Sequence, residues 1–263
     1  MIAAIEASGI SKIFGDPDNA GDAVEAIKRV DMRVADGEFV ALLGPSGCGK
    51  STLLDIIGGL EPASSGEVYV AGERLNGPHE KMAAVFQQMS LFPWRTVLDN
   101  VTLGPELRAV DAPTRERTAK EMIELVGLSG FERKYPSQLS GGMCQRVAIA
   151  RALALNPAIL LMDEPFAALD EQTRRLMGLE LLRIWDRARK TIVFVTHSIE
   201  EAIQLSDRIL LMSARPSVIR EEIPVPLPRP RGIECLSCDV AKDIERRIWA
   251  ALMEEVGGAV NAH

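Results

Sequence analysis

No apolar run in this 263-residue chain reaches the roughly 18–20 residues a helix needs to cross a bilayer, so any membrane contact must come through a partner. A basic excess is missing too. The 37 Asp and Glu outnumber the 30 Lys and Arg, and the formal charge of −7 argues against a nucleic-acid binder with its basic footprint. The opening residues, Met1-Ile2-Ala3-Ala4-Ile5-Glu6, lack the basic segment and long apolar stretch of a secretory signal, which predicts a cytoplasmic chain. Cysteine is sparse. Cys48 and Cys144 stand alone, while Cys235-Leu236-Ser237-Cys238 is a CxxC. No second Cys/His pair accompanies it and structural zinc takes four ligands, so these two thiols read as unlinked. A fixed-period repeat is also absent, and the length suits one core that buries around three quarters of the unfolded surface.

What the chain does contain is two anion-binding turns. Gly44-Pro45-Ser46-Gly47-Cys48-Gly49-Lys50-Ser51-Thr52 matches the P-loop pattern in full. Its setting fits, because Phe39-Val40-Ala41-Leu42-Leu43 reads as a buried strand and Lys50 to Ile57 as the helix that follows. The glycines let successive N–H groups curl around phosphates. Lys50 can reach the β- and γ-phosphates, and the Ser51 hydroxyl can ligate Mg²⁺. The second turn is Leu139-Ser140-Gly141-Gly142, which runs into the helix-forming stretch Met143 to Leu153. A serine and two glycines at a helix N-terminus favour an anion. Alone, this stretch is equally a plain glycine turn opening an ordinary helix; beside a P-loop it reads as a second phosphate site. The chain is expected to bind a nucleoside triphosphate.

Two further apolar runs end in reactive residues. Ala158-Ile159-Leu160-Leu161-Met162 reads as a buried strand ending in Asp163-Glu164-Pro165, and open α/β sheets place their ligands at strand ends. Asp163 is expected to hold Mg²⁺, mostly through water, and Glu164 to orient or deprotonate the attacking water. Thr191-Ile192-Val193-Phe194-Val195-Thr196 ends in His197, read as a γ-phosphate contact. His79, in a polar loop, and His263, at the terminus, read as surface residues.

Along the chain, Val30, Met32 and Val34 alternate with Asp31 and Arg33 as a half-buried strand should, and Val68-Tyr69-Val70 follows a Ser64-Ser65-Gly66 turn. From about Met89 to Asn156 the pattern is helical, including an amphipathic helix over Thr114 to Val126. Pro224, Pro226, Pro228 and Pro230 enforce an extended segment that cannot be a central strand. Val240, Ile244, Ile248, Leu252 and Val256 recur every four residues, predicting the packed face of a terminal helix.

In this order, the residues resemble one family, the ATP-binding subunits of ABC transporters, from about Ile10 to about Arg231. The resemblance implies an α/β fold: a P-loop NTPase core with a mostly parallel sheet, an N-terminal antiparallel β layer and an inserted α-helical subdomain. It implies an ATPase domain over 1–231, with the helical subdomain at 88–156, and a C-terminal helical extension over 232–263. It makes Gln87 the switch glutamine on Mg²⁺, Asp163-Glu164 the Walker-B pair and His197 the switch histidine. Ala167-Ala168-Leu169-Asp170 becomes the loop crossing a dimer interface, and Phe14 the aromatic that stacks on adenine. Lys50, Glu164 and His197 then carry hydrolysis. Each ATP is expected between the P-loop of one subunit and Ser140, Gly141, Gly142 and Met143 of the other, with Asp170 also acting across the interface. Met143 stands where many members carry Gln, Cys144 where a polar residue is usual, Ala167 for Ser and Phe14 for Tyr; none removes a catalytic group.

The segments Leu91 to Val101, Val195 to Ala202 and Leu210 to Pro216 resemble the nitrate/sulfonate/taurine branch of importers. The partners this implies are a second ATPase subunit, transmembrane permease subunits and, indirectly, an extracytoplasmic binding protein, with no nucleic acid. The place it implies is the cytoplasmic face of the cell membrane. Phe92 and Trp94 are expected to form the patch that docks the permease. The competing class is a soluble ABC ATPase of DNA repair, chromosome maintenance or translation, which typically carries long coiled coils, zinc modules or two ATPase domains, none present here. A P-loop kinase explains Gly44 to Ser51 but leaves the second turn and His197 without a task.

Overall fold

The computed structural model describes residues 3–15, 23–87 and 90–260. His263, and the expected subdomain boundary at residue 88, lie outside the described residues. Two compact units are present: residues 1–79 with 189–263, and residues 80–188.

The first unit opens with β1 (Ile5–Phe14) and β2 (Val24–Val34), antiparallel, with Ile5 opposite Val34 and Phe14 opposite Val24. Val30, Met32 and Val34 are buried while Asp31 and Arg33 face solvent, the alternation the sequence predicts. β3 (Phe39–Leu43) is buried at every position, as an apolar run covered on both faces should be. After α1 (Lys50–Ile57), β4 (Ser65–Val70) pairs antiparallel with β1, and β5 (Glu73–Arg74) pairs with β4. Gly66 makes that pairing possible: its φ is +88°, and a Cβ there would sit 2.5 Å from the Gly9 carbonyl.

The second unit holds β6 (Met82–Val85), then α2 (Val97–Leu107), α3 (Ala112–Leu125) and α4 (Gly141–Ala154), then β7 (Ile159–Asp163) and α5 (Glu171–Ala188). β6 and β7 are parallel, with Val85 opposite Met162. α3 starts two residues earlier than its sequence pattern suggests. Asp111 caps it by accepting from Thr114 N at 3.0 Å, and Pro113 fits the first turn, where no intrahelical donor is needed. Ala119 and Ile123 of α3, Val101 of α2, and Val147 and Ala150 of α4 are buried where these helices pack.

The chain then returns to the first unit through β8 (Thr191–Thr196), α6 (Ile199–Leu205), β9 (Arg208–Met212), β10 (Ser217–Pro224) and α7 (Asp239–Val260). Strand order there is β5-β4-β1-β2-β10-β9-β3-β8. β9, β3 and β8 run parallel, with Leu43 opposite both Thr196 and Leu211, so their C-terminal ends align. The fold is α/β, a parallel core joined to an antiparallel layer. β10 ends at Pro224, which pairs with Arg208 in a strand lying between β2 and β9, so the first proline, contrary to expectation, closes an internal strand; the stretch after it has Val225 and Leu227 buried.

α7 keeps its predicted stripe at Ile244, Ile248 and Leu252 and departs from it at Val240. Ala241, Ile244, Ile248 and Ala251 are buried against Ala41, Leu43, Ile203 and Ile209, whereas Val240 is 44% exposed. Each step of four residues rotates about 40° beyond a full turn, so the five stripe positions spread over about 160° and the first falls off the packed face; the buried set alternates three and four. The side chain of Val256 lies outside the described ones.

Candidate nucleotide site

β3 delivers the chain into the loop Gly44–Gly49, and α1 begins at Lys50. Gly49, the N-cap, sits at φ 107° and Gly47 at φ 75°, left-handed conformations that glycine adopts without steric cost. At Gly44 a Cβ would come within 2.8 Å of the Met212 carbonyl and 3.0 Å of Cys48 Sγ, so the end of β9 and a buried thiol back the loop. Lys50 Nζ donates to the carbonyls of Gly44 and Pro45, each at 2.8 Å, and the side chain is almost wholly buried. Its ammonium is thus held by acceptors that phosphate oxygens can replace. Burial pushes the Cys48 thiol up, partly offset by Lys50, whose Nζ lies 3.9 Å away. Ser46 and Ser51 are exposed and Thr52 is partly buried.

His197 follows the last residue of β8 and is exposed. Its neighbours fix the backbone: Thr196 Oγ1 donates to Glu201 Oε2 at 2.5 Å and accepts from Ser198 N at 3.0 Å. Ser198 in turn caps α6 by accepting from Glu201 N at 3.3 Å. Phe14 closes β1 and is 41% exposed. Lys12, two residues earlier on the same strand, lies over that ring. Sequence reasoning missed Lys12, because a lysine in a strand reads as a solvated position.

In the second unit the parallel register does the positioning. Val85 lies opposite Met162, so Gln87 and Glu164, each two residues further on, emerge together at the strands' C-terminal ends. Gln87 Nε2 donates to Glu164 Oε2 at 3.3 Å. Asp163 is buried at the end of β7, and Glu164 takes φ 45°, a left-handed conformation uncommon for a residue with a side chain. Ser140 caps α4, its Oγ accepting from Met143 N at 3.2 Å. A Cβ on Gly142 would lie 3.1 Å from Leu169, which brings the glycine turn beside the loop ending in Asp170. Asp170 caps α5 through Thr173 N at 2.9 Å and Thr173 Oγ1 at 2.7 Å, and these donors hold its carboxyl below the usual carboxylate range. Gly141 has open space where a side chain would be.

The candidate residues therefore gather in four groups: Lys50 with Gly44, Pro45 and Cys48; Phe14 with Lys12; Gln87 with Glu164; and Ser140–Gly142 with Leu169 and Asp170. The first two belong to one unit, together with His197, and the last two to the other.

The ABC transporter family profile matches residues 27–167, which hold the P-loop, the second glycine turn and Asp163-Glu164. This chain belongs to the ABC transporter family of ATP-binding subunits. It is an ATPase whose hydrolysis is coupled to transport. It is 50% identical over 227 residues to the uncharacterized ABC transporter ATP-binding protein MJ0412 of Methanocaldococcus jannaschii, covering 86% of this chain and 84% of that one. It is 45% identical over 228 residues to the aliphatic sulfonates import ATP-binding protein SsuB of Bacillus cereus, covering 87% and 88%. Among solved structures, the ATP-binding cassette MJ0796, a dimer in a post-hydrolysis state bound to ADP and Pi, aligns with TM-score 0.75 at 35% identity, covering 84% of this chain and 98% of that one. Among the described residues, no helix of this ABC subunit is long and apolar enough to cross a membrane.

Proposed function

We propose that this ABC subunit hydrolyses ATP to drive import of a small organic anion, an aliphatic sulfonate before nitrate or taurine. The observation that carries this is the 45% identity to a sulfonate-import ATP-binding protein, over 87% of the chain. The relatives' names speak of transport and import, which leaves the DNA-repair and translation reading without support. The working unit is a dimer of this chain, docked on permease subunits at the cytoplasmic face of the cell membrane and supplied by an extracytoplasmic binding protein. The organisation we assign is an ATPase domain over 1–231, with its helical subdomain at 88–156, and a helical extension over 232–263.

The P-loop, Gly44, Pro45, Ser46, Gly47, Cys48, Gly49, Lys50, Ser51 and Thr52, cradles the phosphates of ATP, with Lys50 exchanging loop carbonyls for phosphate oxygens. Phe14 stacks on the base. Ser51, Gln87 and Asp163 would hold Mg²⁺, a fit supported by an all-oxygen donor set and by Gln87 turning its Nε2 to Glu164, which leaves its carbonyl oxygen for a cation. Bound there, Mg²⁺ would supply positive charge that offsets the charge of the phosphates. Glu164 takes the proton of the attacking water on its carboxylate, one oxygen of which Gln87 orients. His197 contacts the γ-phosphate. Ser140, Gly141, Gly142 and Met143, at the N-terminus of α4, and Asp170 serve the ATP held by the second subunit.

The half-buried Phe92 and the exposed Trp94 form the permease docking patch. The rings meet edge-on at 5.4 Å and Trp94 is 71% exposed, so the pair is not core. The test is uptake: a strain lacking this chain should lose growth on sulfonate as sole sulfur source and regain it with the wild-type gene. Unaltered sulfonate uptake, with loss of a different solute, overturns the substrate assignment.

A further inference from the structure

The CxxC of the C-terminal segment has no part in the nucleotide site, yet the fold gives it a specific geometry. Cys235 lies in a 3₁₀ turn, Ile233–Ser237, and Cys238 is the next residue, leading into α7 at Asp239. A 3₁₀ turn repeats every three residues, so positions i and i+3 stack on one edge about 6 Å apart, within the span a disulfide bridges. The two thiols differ in setting. Cys238 is exposed, and its Sγ accepts from Ala241 N in the first turn of α7 at 3.4 Å. Cys235 is half-buried and packs, with Leu236, against the cluster that holds Ile203, Ile244 and Ile248. Burial pushes the Cys235 thiol up, with the Arg231 guanidinium pulling the other way. Among the described residues no group of three or more His, Cys, Asp or Glu is placed to hold a metal, so the pair lacks the further ligands a zinc site needs.

We infer that Cys235 and Cys238 form a thiol–disulfide exchange site for a small-molecule disulfide such as glutathione disulfide, with Cys238 as the attacking thiol and Cys235 as the resolving one. Cys238 gives its proton to solvent and attacks one sulfur of the disulfide, releasing one thiol and forming a mixed disulfide. Cys235 then gives up its proton and attacks Cys238 Sγ, releasing the second thiol and closing the Cys235–Cys238 bond. Two protein thiols are oxidised and one small disulfide is reduced to two thiols. The unequal exposure sets the order, since exchange depends on access to the attacking sulfur. The bond ties the 3₁₀ turn to the start of α7, beside α6, which packs against both.

The test uses the full-length protein, incubated with glutathione disulfide, quenched by alkylation and mapped by peptide mass spectrometry. The expected result is a peptide over 235–238 lighter by two hydrogens, in a chain still monomeric on a non-reducing gel and restored by reduced glutathione. Cys235→Ser should trap glutathione stably on Cys238, and Cys238→Ser should slow modification of Cys235 at least about tenfold. Both thiols still alkylatable in excess glutathione disulfide, equal rates in the two variants, or a bond between two copies overturns the site. Stoichiometric binding of zinc, added alone, to the reduced pair would overturn it in favour of a metal.

Discussion

Lys12 Nζ lies 4.9 Å from the centroid of the Phe14 ring, held there by Glu61 Oε1 at 2.5 Å and the Pro62 carbonyl at 2.8 Å. The cation covers one ring face from a nearly buried position. If the other face receives adenine, Lys12→Met should weaken ATP binding by about 2- to 30-fold, the span of a cation–π contact of about 0.5–2 kcal/mol, with turnover at saturating ATP unchanged. Binding titrations with ATP and with triphosphate lacking a base separate this from general damage. Equal losses for both ligands place the effect on folding of the β1 edge instead.

Asn100 organises the docking loop. Wholly buried, it accepts from Phe92 N at 2.9 Å and donates to the carbonyls of Phe92, Arg95 and Thr96 at 3.2, 3.1 and 2.9 Å. Asn100→Ala removes the partner of Phe92 N and of the Arg95 carbonyl, while the Phe92 and Thr96 carbonyls keep the backbone donors Arg95 N and Asn100 N, and should cost about 1–3 kcal/mol in denaturant unfolding. Unchanged stability would mean that the loop finds other partners.

Trp94→Ala should leave the free subunit folded and its basal ATPase within about twofold, because the ring is exposed, yet lose roughly 2 kcal/mol or more of permease affinity if it is an anchor. Normal assembly and transport would move the coupling surface elsewhere.

The strands that carry the candidate residues were legible in the sequence. The P-loop, Asp163-Glu164 and His197 each follow a short apolar run, and β3, β7 and β8 are buried at every position, as strands covered on both faces should be. β10 has no counterpart in the sequence reading, since Arg220, Glu221 and Glu222 break the apolar pattern of Ser217–Pro224; these charges lie on exposed or half-buried positions. Asn100 and Lys12 were invisible for a different reason. Their partners are carbonyls and a ring placed by turns, and sequence patterns record side-chain polarity, not where backbone acceptors point.

Cys48 supplies a pH test. Burial raises its thiol, with Lys50 opposing in part. The folded protein therefore binds that proton more tightly than the unfolded chain, and this contribution to stability is present at low pH and falls as pH rises from the ordinary thiol value of about 8.5 toward the folded one. Alkylation of Cys48 in the native protein should show a higher midpoint than in urea, followed by peptide mass spectrometry. Coincident midpoints contradict the buried environment.

The central claim is that Glu164, oriented by Gln87, deprotonates the water that attacks ATP. Turnover and nucleotide retention of Glu164→Gln, measured side by side with wild type, test it most directly. The account predicts turnover down by roughly 10²–10⁴-fold with ATP still bound and a closed dimer accumulating. Hydrolysis within about threefold of wild type would contradict it, since a general base is worth at least about a hundredfold.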